Sequence, residues 1–297
     1  MSSLGHLPEC SLQCKGIGMT IETPDTPLYH YTNTRGLIGI LKEKAVWASG
    51  SQYLNDTAEL THALSIVNEL LAKHLKQESG TQKESYALLQ NWTRLCDQHQ
   101  AFVASFSQEK NKLSQWRAYC DHGGGFSIGF APGLITKRAQ AQGFHLVKCE
   151  YDPEKQEKLC EENIADGYRA ASQVKGMRMK LSENVKMLAE FGIPLLSIIP
   201  ALKNPCFEEE REWRLVLHHL YIQNTERIQF RAGRDSPIPY VNFELVEKKE
   251  DLLEIEEIVI GPNPDVSATK SSVELLVKSF GANCKKFTEY SGSYRNW

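Results

Sequence analysis

The sequence predicts an α+β fold in which a mixed, largely antiparallel sheet forms the core. Helical and strand patterns are interspersed along the 297 residues, yet they do not alternate one for one as in a doubly wound sheet. Two strand patterns follow each other without an intervening helix between residues 213 and 244. The composition, 41% hydrophobic and 24% charged, is typical of a globular chain and excludes disorder, a collagen-like chain or a coiled coil as a description of the whole.

Charge and cysteine usage narrow the class of protein further. The 34 lysines and arginines nearly balance the 37 aspartates and glutamates, so the net charge of −3 provides no bulk attraction to nucleic acid or anionic membranes. Residues 1–26 show no secretory signal, and we expect a flexible leader there and a single domain over residues 27–297. The eight cysteines are scattered, which predicts reduced thiols and a cytoplasmic location. No apolar stretch approaches the ~20 residues that span a bilayer, so we expect no membrane contact.

The first half of the domain begins with a strand over residues 28–32 and a helix over 36–44, which Asn33 or Thr34 caps. Further strand patterns cover residues 46–49, 101–107 and 126–130. Helical periodicity predicts helices over residues 55–73, 84–99 and 113–119.

Strand patterns are frequent in the second half of the domain, over residues 144–151, 213–218, 227–231, 239–244, 255–260 and 284–287. Between the first two of these we expect a helical insertion over about 153–203. A last helix should begin at Asp265 or Ser267, either of which can cap it, and end at Phe280.

The first cluster with chemical potential is Tyr29-His30-Tyr31-Thr32 on the first strand. Because side chains alternate along a strand, His30 and Thr32 share one face, and Tyr29 and Tyr31 share the other. Polar side chains on an interior face cost stability unless they find partners. The alternative interpretation is a core histidine that hydrogen-bonds a neighbouring carbonyl.

The second cluster is the segment Leu113–Tyr119, in which Ser114 begins a short helix. Trp116 and Tyr119 lie on one helical face at a spacing of three residues. Aromatic packing in the core explains these two rings, but it does not explain Ser105 and Ser107 on the preceding strand, and it explains Gln115 and Arg117 less well.

The third cluster is the acidic run Glu208–Glu212 with the strand that follows it. Four carboxylates in five residues are typical of a solvated loop. Glu212, however, lies at the start of an apolar strand and shares its face with Arg214, where a carboxylate can meet a ligand hydroxyl or a cation. The alternative is a surface ion pair worth little stability.

Together these motifs resemble a bacterial family known as domain of unknown function 2971. The matching segments share the family's order along the chain, and they are Leu28–Thr32, Val46–Ser49, Leu54–Asp56 with Glu59, Phe102–Ser107, Leu113–Asp121, Gly125–Phe130, Glu209–Val216 and Ile260–Asn263. Val46 and Cys120 depart from the family's leucine and glycine. The resemblance covers residues 28–297.

A second, shorter resemblance concerns chemistry. A strand with His-x-Thr before a helix, a Phe-rich strand and a Glu-aromatic-Leu-Val strand are similar to the ADP-ribosyltransferase superfamily, with its DNA-targeting toxins closest in arrangement. The resemblance implies that fold, NAD as cofactor, and a role in bacterial phage defence or toxin systems. It also implies that Glu212 is the catalytic glutamate that orients a ribose hydroxyl, and that His30 binds the ribose and carboxamide region.

The same resemblance implies the remaining contacts with NAD. Tyr119 or Trp116 would stack on nicotinamide, and Arg117 or Arg214 would pair with the pyrophosphate. The other binding residues it implies are Tyr31, Thr32, Ser105 and Ser114. No metal is required, since a fixed carboxylate stabilises the positive charge that develops on the sugar.

Two other functions stay open at this point. A metal-dependent nucleic-acid hydrolase would use Asp121, His122 and the carboxylates of residues 208–212 to hold magnesium. A non-catalytic ligand-sensing module would keep the pocket and use the helical insertion as its partner surface. The acceptor of any transfer reaction, whether protein, nucleic acid, small molecule or water, is not indicated by the sequence.

Overall fold

The computed structural model describes residues 23–54, 58–96, 101–120, 124–174, 198–218 and 225–292. It confirms an α+β architecture with a mixed, mostly antiparallel sheet. The strands are β1 (Leu28–Thr32), β2 (Ala45–Gly50), β3 (Ala101–Ser107), β4 (Phe126–Phe130), β5 (His145–Lys148), β6 (Glu212–His218), β7 (Gln229–Ala232), β8 (Pro237–Glu244), β9 (Leu253–Ile255), β10 (Glu257–Ile260), β11 (Ala282–Cys284) and β12 (Phe287–Glu289). The helices are α1 (Thr34–Glu43), α2 (Ala58–Gln77), α3 (Gly80–Cys96), α4 (Leu113–Tyr119), α5 (Pro132–Gln142), α6 (Pro153–Val174) and α7 (Val266–Ser279). None of these described helices is both long enough and apolar enough to cross a membrane.

The main sheet runs in the order β12-β10-β4-β1-β3-β2-β8-β7, and it branches at β3, where β6 and then β5 are added. One edge of β3 pairs with β6 over the whole of residues 101–107. The other edge is shared, because β2 pairs at Phe102 and Val103 whereas β1 pairs at Ser107. The backbone of β3 around Ser105 therefore faces the place where β1 and β2 separate.

One face of the branched sheet forms the principal core. Alternate residues of β3 (Phe102, Ala104 and Phe106) point into this core together with Trp213 and Leu215 of β6. Helices α1, α5 and α7 cover it with buried aliphatic side chains, which are Leu37, Ile40, Leu41, Ile135, Ala139, Val273 and Val277. Burial of this apolar surface is the main stabilising contribution to the fold. Because side chains alternate along a strand, the other side chains of β3 and β6, among them Ser105, Ser107 and Glu212, lie on the opposite face of the sheet.

A second apolar cluster joins helices α2, α3 and α6 into a layer of their own. Its buried members include Leu64, Val67 and Leu71 of α2, Leu89 of α3 and Ile164 of α6. Helix α6 begins the predicted helical insertion, and residues 175–197 of that insertion lie outside the described residues.

Two helix starts are confirmed at the level of their caps. The side chain of Asn33 accepts a hydrogen bond from the Gly36 amide at 2.9 Å, and that of Asp265 accepts one from the Ala268 amide at 3.0 Å. Each satisfies an amide that has no partner within the helix.

The structure also contains elements that the sequence interpretation lacked. Helix α5 was not predicted, although Pro132 at its first turn and Gly143 in the left-handed conformation (φ 76°) after its end are standard boundary signals. The strand predicted over residues 255–260 is two strands, β9 and β10, which join different sheets. The strand predicted over 284–287 is likewise two strands. β11 pairs in parallel with β9, and β12 pairs in parallel with β10.

Candidate functional site

The site begins where the sheet branches. His30 projects from β1 toward β3, and its Nδ1 lies 2.9 Å from the carbonyl oxygen of Ser105. This carbonyl faces the gap between β1 and β2, because β2 pairs with β3 before Ser105 and β1 pairs with β3 after it. The imidazole therefore provides the hydrogen bond that neither strand provides to this carbonyl. The ring of His30 also packs against Phe106, with ring centroids 5.6 Å apart.

The hydrogen bond to Ser105 determines the tautomer of His30. A carbonyl only accepts, so Nδ1 carries the proton and Nε2 is left as an acceptor. Burial lowers the pKa of His30, and its hydrogen bond to Ser105 opposes this only in part. His30 is therefore neutral at pH 7 and can accept a hydrogen bond from a ligand hydroxyl through Nε2.

A cavity lies beside His30 on the polar face of β3 and β6. Its lining comes from β1, β3, α4 and the segment that leads into β6, and consists of Tyr29, His30, Tyr31, Ser105, Phe106, Ser107, Gln115, Tyr119, Glu210 and Glu212. The centre of a water molecule can reach about 60 Å³ of it. That is space for a few waters or one small ring, since a single water needs roughly 10–15 Å³ on this measure.

Glu212 enters the cavity from a buried network of four charges. Its Oε1 accepts from Arg214 Nε at 2.8 Å, and its Oε2 accepts from Arg214 Nη2 at 3.0 Å and from Lys203 Nζ. Lys203 also pairs with the carboxylate of Glu210. Glu212 is 3% exposed and Lys203 is 2% exposed, and the two carboxylates and two cations balance in formal charge.

The network determines the state of Glu212. Burial alone would raise the pKa of its carboxyl, but the charges of Arg214 and Lys203 outweigh burial and lower the pKa to about 2. Glu212 is thus ionised at neutral pH and is a weak base. A carboxylate accepts about four hydrogen bonds, and the three donors named above leave one acceptor position for a ligand. The carboxylate can orient a hydroxyl, but it is poorly suited to remove a proton from water.

Tyr119 is the aromatic side chain of α4 that lines this cavity. Burial raises the pKa of its hydroxyl, and the nearby charges of Glu212 and Glu210 raise it further. The phenol therefore stays protonated at neutral pH and can donate a hydrogen bond, while its ring provides a flat apolar wall. On the β1 side, Tyr31 is held by a hydrogen bond from its hydroxyl to the Glu109 carbonyl.

Five of the ten residues expected in a binding site line the cavity, and the other five do not. The residues that line the cavity are His30, Tyr31, Ser105, Tyr119 and Glu212. The residues that do not line it are Thr32, Ser114, Trp116, Arg117 and Arg214.

The position of Trp116 corrects one of the two stacking alternatives. Its indole has no exposed surface, packs edge-on against Tyr31 with ring centroids 4.8 Å apart, and donates from Nε1 to Asn111 at 3.0 Å. A methyl group on Gly261 would lie 2.9 Å from this ring, which shows how closely the backbone encloses it. Trp116 is therefore a core residue with no surface for a ligand ring, and of the two aromatic side chains it is Tyr119 that lines the cavity.

The two expected pyrophosphate ligands are also placed elsewhere. Arg214 is 4% exposed and directs its guanidinium to Glu212 and to the carbonyl of Pro200 at 2.9 Å, so its role is to hold the carboxylate. Arg117 is exposed on α4 outside the cavity lining. Thr32 lies at the end of β1 against Gly36 of helix α1, whereas Ser114 lies in the first turn of α4.

Several cavity residues escaped the sequence interpretation. Glu210 was hidden in an acidic run whose other members, Glu208 and Glu209, are indeed exposed. Lys203 carried no recognisable signal, because its partners come into reach only through the turn Pro205–Glu210. Gln115, which aromatic packing explained less well, was noted in the sequence but given no role, and it is buried in the cavity lining.

The structure describes only some of the residues that a metal-dependent hydrolase would use. Asp121 and His122 lie outside the described residues. Within the described ranges no group of three or more histidine, cysteine, aspartate or glutamate side chains is arranged to hold a metal ion.

Comparison with known proteins bears on the family. Residues 115–215 match the model of a family described as "Protein of unknown function (DUF2971)". This match supports the first resemblance that the sequence motifs indicated, and it includes α4 and the segment from Glu210 to Arg214. No curated protein and no solved structure matches the chain.

Proposed function

We propose that the protein cleaves the bond between nicotinamide and ribose in NAD and transfers ADP-ribose to an acceptor or to water. The observation that carries this proposal is the convergence of His30, Tyr119 and Glu212, from three distant segments, on one cavity. These are the types of residue that the resemblance to ADP-ribosyltransferases requires, in the same order along the chain. That resemblance also supports a role in a bacterial toxin or phage-defence system, in the reduced cytoplasmic setting that the cysteines predict.

The size of the cavity limits which part of NAD it can hold. Binding sites for whole drug-sized ligands occupy ~300–1,000 Å³, and the space here accommodates one ring at most. The nicotinamide ring would lie in the cavity against Tyr119, and its ribose would lie at the mouth of the cavity with hydroxyls directed to His30 and Glu212. The adenosine half would then lie outside this cavity.

The reaction makes specific demands on these three side chains. The bond between C1′ of the ribose and the nicotinamide nitrogen breaks, its electron pair leaves with nicotinamide, and positive charge develops on the sugar. An oxygen or nitrogen of the acceptor then bonds to C1′ and releases its proton to solvent. Groups fixed before the reaction stabilise this charge without reorganising.

Each side chain meets one of these demands. The ionised carboxylate of Glu212 accepts a hydrogen bond from a ribose hydroxyl and so fixes the orientation of the sugar. Neutral His30 accepts a second hydroxyl through Nε2, and Tyr119 positions the leaving ring. Because Arg214 and Lys203 already compensate its charge, Glu212 contributes mainly orientation, and activation of the acceptor falls to another group.

The test is release of nicotinamide from NAD by the purified full chain, with water and with candidate protein, DNA or RNA acceptors. We expect Glu212→Gln to reduce turnover about 10²-fold or more, as loss of one fixed electrostatic contact does in other enzymes. Glu209→Gln is the matched control, since Glu209 is an exposed carboxylate in the same run, and it should retain full turnover.

A second pair of variants guards against misfolding of Glu212→Gln. Tyr119→Phe keeps the ring and should keep most turnover, whereas Tyr119→Ala should lose it through a higher KM. Thermal unfolding confirms that each variant is folded. Equal turnover by Glu212→Gln and wild type, or no nicotinamide release with any acceptor, would contradict the proposal.

A further inference from the structure

An exposed aromatic side chain lies next to the cavity on the same face of the sheet. Trp47 of β2 is 42% exposed. The pairing of β2 with β3 ends at Ser49 and Val103, and Ser105, two residues beyond Val103, lines the cavity. Trp47 precedes Ser49 by two residues and lies on the same face of β2. It therefore lies where β2 separates from β3, on the side of the sheet where the cavity opens.

The ring of Trp47 is held in place by two neighbours, and we call the three residues together the Trp47 surface. The guanidinium of Arg231 lies over the indole, 5.7 Å from its centroid, and the ring of Tyr240 lies 4.8 Å away at an interplanar angle of 38°. Arg231 Nη2 is 3.2 Å from the hydroxyl of Ser49, and the hydroxyl of Tyr240 donates to Gln229 at 2.8 Å. A ring fixed in this way loses little entropy when a ligand stacks on it.

The charge of Arg231 adds a second recognition element. Its guanidinium lies over the Trp47 ring and within hydrogen-bond distance of the Ser49 hydroxyl, and both of these neighbours are neutral. A half-buried guanidinium held by neutral partners is suited to bind a phosphate. An exposed indole beside such a cation is the combination that binds the base and the phosphate of a nucleotide.

We infer that the Trp47 surface binds the adenosine monophosphate half of NAD, with adenine stacked on Trp47 and a phosphate against Arg231. This inference rests on the proposed function for its choice of ligand. The cavity holds no more than the nicotinamide end, so the other half of the dinucleotide must lie on an adjacent surface. The Trp47 surface is adjacent, lies on the same face of the sheet and has the required chemistry.

The experiment measures binding of AMP, ADP-ribose and nicotinamide mononucleotide to the full chain by titration calorimetry. Trp47→Ala should weaken binding of AMP and ADP-ribose by about 5- to 150-fold, the loss expected for one base stacked on an aromatic ring. Its affinity for nicotinamide mononucleotide should be unchanged. Arg231→Gln should weaken binding of AMP but not of adenosine, which has no phosphate.

Phe230→Ala is the matched control. Phe230 is a 66% exposed aromatic on the same edge strand as Arg231, and strand alternation directs it to the opposite face. It should bind all three ligands as wild type does. The inference is overturned if wild type binds neither AMP nor ADP-ribose, or if Trp47→Ala binds both unchanged. The inference is also overturned if Trp47→Ala loses affinity for single-stranded DNA and keeps its affinity for AMP and ADP-ribose.

Nicotinamide release separates this inference from the proposed function. If wild type cleaves NAD and Trp47→Ala does so with an unchanged KM, the function stands and the Trp47 surface is not the adenosine site. If wild type binds AMP through Trp47 but never releases nicotinamide, the surface stands as a nucleotide site and the proposed reaction is wrong.

Discussion

Lys203 should be among the most sensitive positions in the protein, because it lies between two buried carboxylates. Lys203→Met keeps the length of the side chain and removes its charge, which leaves Glu210 and Glu212 with Arg214 as the one cation of the network. Breaking a buried ion pair by removing one partner costs about 3–5 kcal/mol. For a chain of this size the expected fall in Tm is roughly 10 °C.

The pKa of Glu212 gives a figure for the combined effect of Arg214 and Lys203 on this carboxylate. Its carboxyl is lowered from 4.5 to about 2, and a shift of this size corresponds to about 3 kcal/mol of stability. A carboxyl with a lowered folded pKa stabilises the protein above its unfolded pKa, and this stability is lost as the pH falls toward 2. Lys203→Met removes the part of that contribution that Lys203 supplies beside Arg214, so the difference in stability from wild type should be largest at pH 7 and shrink below about pH 4.5.

Urea unfolding at pH 7 and pH 3 measures both effects. Lys73→Met is the matched control, since Lys73 and its partner Glu157 form an ion pair with both side chains more than half exposed, and its loss should cost less than about 1 kcal/mol. The double variant Lys203→Met with Glu210→Gln restores neutrality and should recover a large part of the loss. A Lys203→Met protein as stable as wild type at pH 7, or a penalty that does not change with pH, would refute the reasoning.

Three further predictions concern stability. Gly129→Ala should destabilise the fold by about 1–3 kcal/mol, because a methyl group there would lie 2.6 Å from the Tyr29 ring. Gly133→Ala is the control and should be neutral or slightly stabilising, since the space around Gly133 is open. Thermal unfolding of the two variants measures the difference, and equal Tm values would contradict the prediction. Burial lowers the pKa of His218 from 6.5 to about 4, so the free energy of unfolding should fall by up to about 3 kcal/mol as the pH drops from 6.5 toward 4. His218→Phe should reduce this fall in urea titrations. An equal fall in the variant and in wild type would contradict the prediction. Asn33→Ala should cost about 1 kcal/mol by removing the cap of α1, whereas a retained Tm would show that the cap contributes nothing.

The elements that form the site could be predicted from the sequence because their signals are local. The alternation of Phe102, Ala104 and Phe106 in β3 and the cap at Asn33 before α1 depend only on neighbouring residues. The same holds for the placement of Glu212 at the start of an apolar strand. The structure confirms these elements within one or two residues.

The branch in the sheet could not be predicted in this way. It depends on β1 and β2 sharing one edge of β3, a pairing between segments more than 50 residues apart along the chain. The interaction of His30 with Ser105 follows from that branch. Periodicity shows which face of a strand is polar, but it does not show which strand lies next to it.

The choice between two aromatic residues was also beyond local reasoning. Trp116 and Tyr119 share a helical face by spacing, yet the structure encloses the former and places the latter at the cavity. Their difference arises from the backbone of Gly261, which approaches the indole from β10. Lys203 likewise meets Glu212 only because a short turn brings the chain back across β6.

The central claim is that nicotinamide occupies the cavity against Tyr119 and that hydroxyls of its ribose reach His30 and Glu212. A crystal structure of the full chain with a carbocyclic NAD analogue, in which the scissile bond cannot be hydrolysed, tests this claim most directly. The account predicts density for the nicotinamide ring against Tyr119, with a hydroxyl of the adjoining ring within hydrogen-bond distance of the Glu212 carboxylate. A fully occupied analogue bound elsewhere on the protein, with this cavity filled only by water, would contradict it.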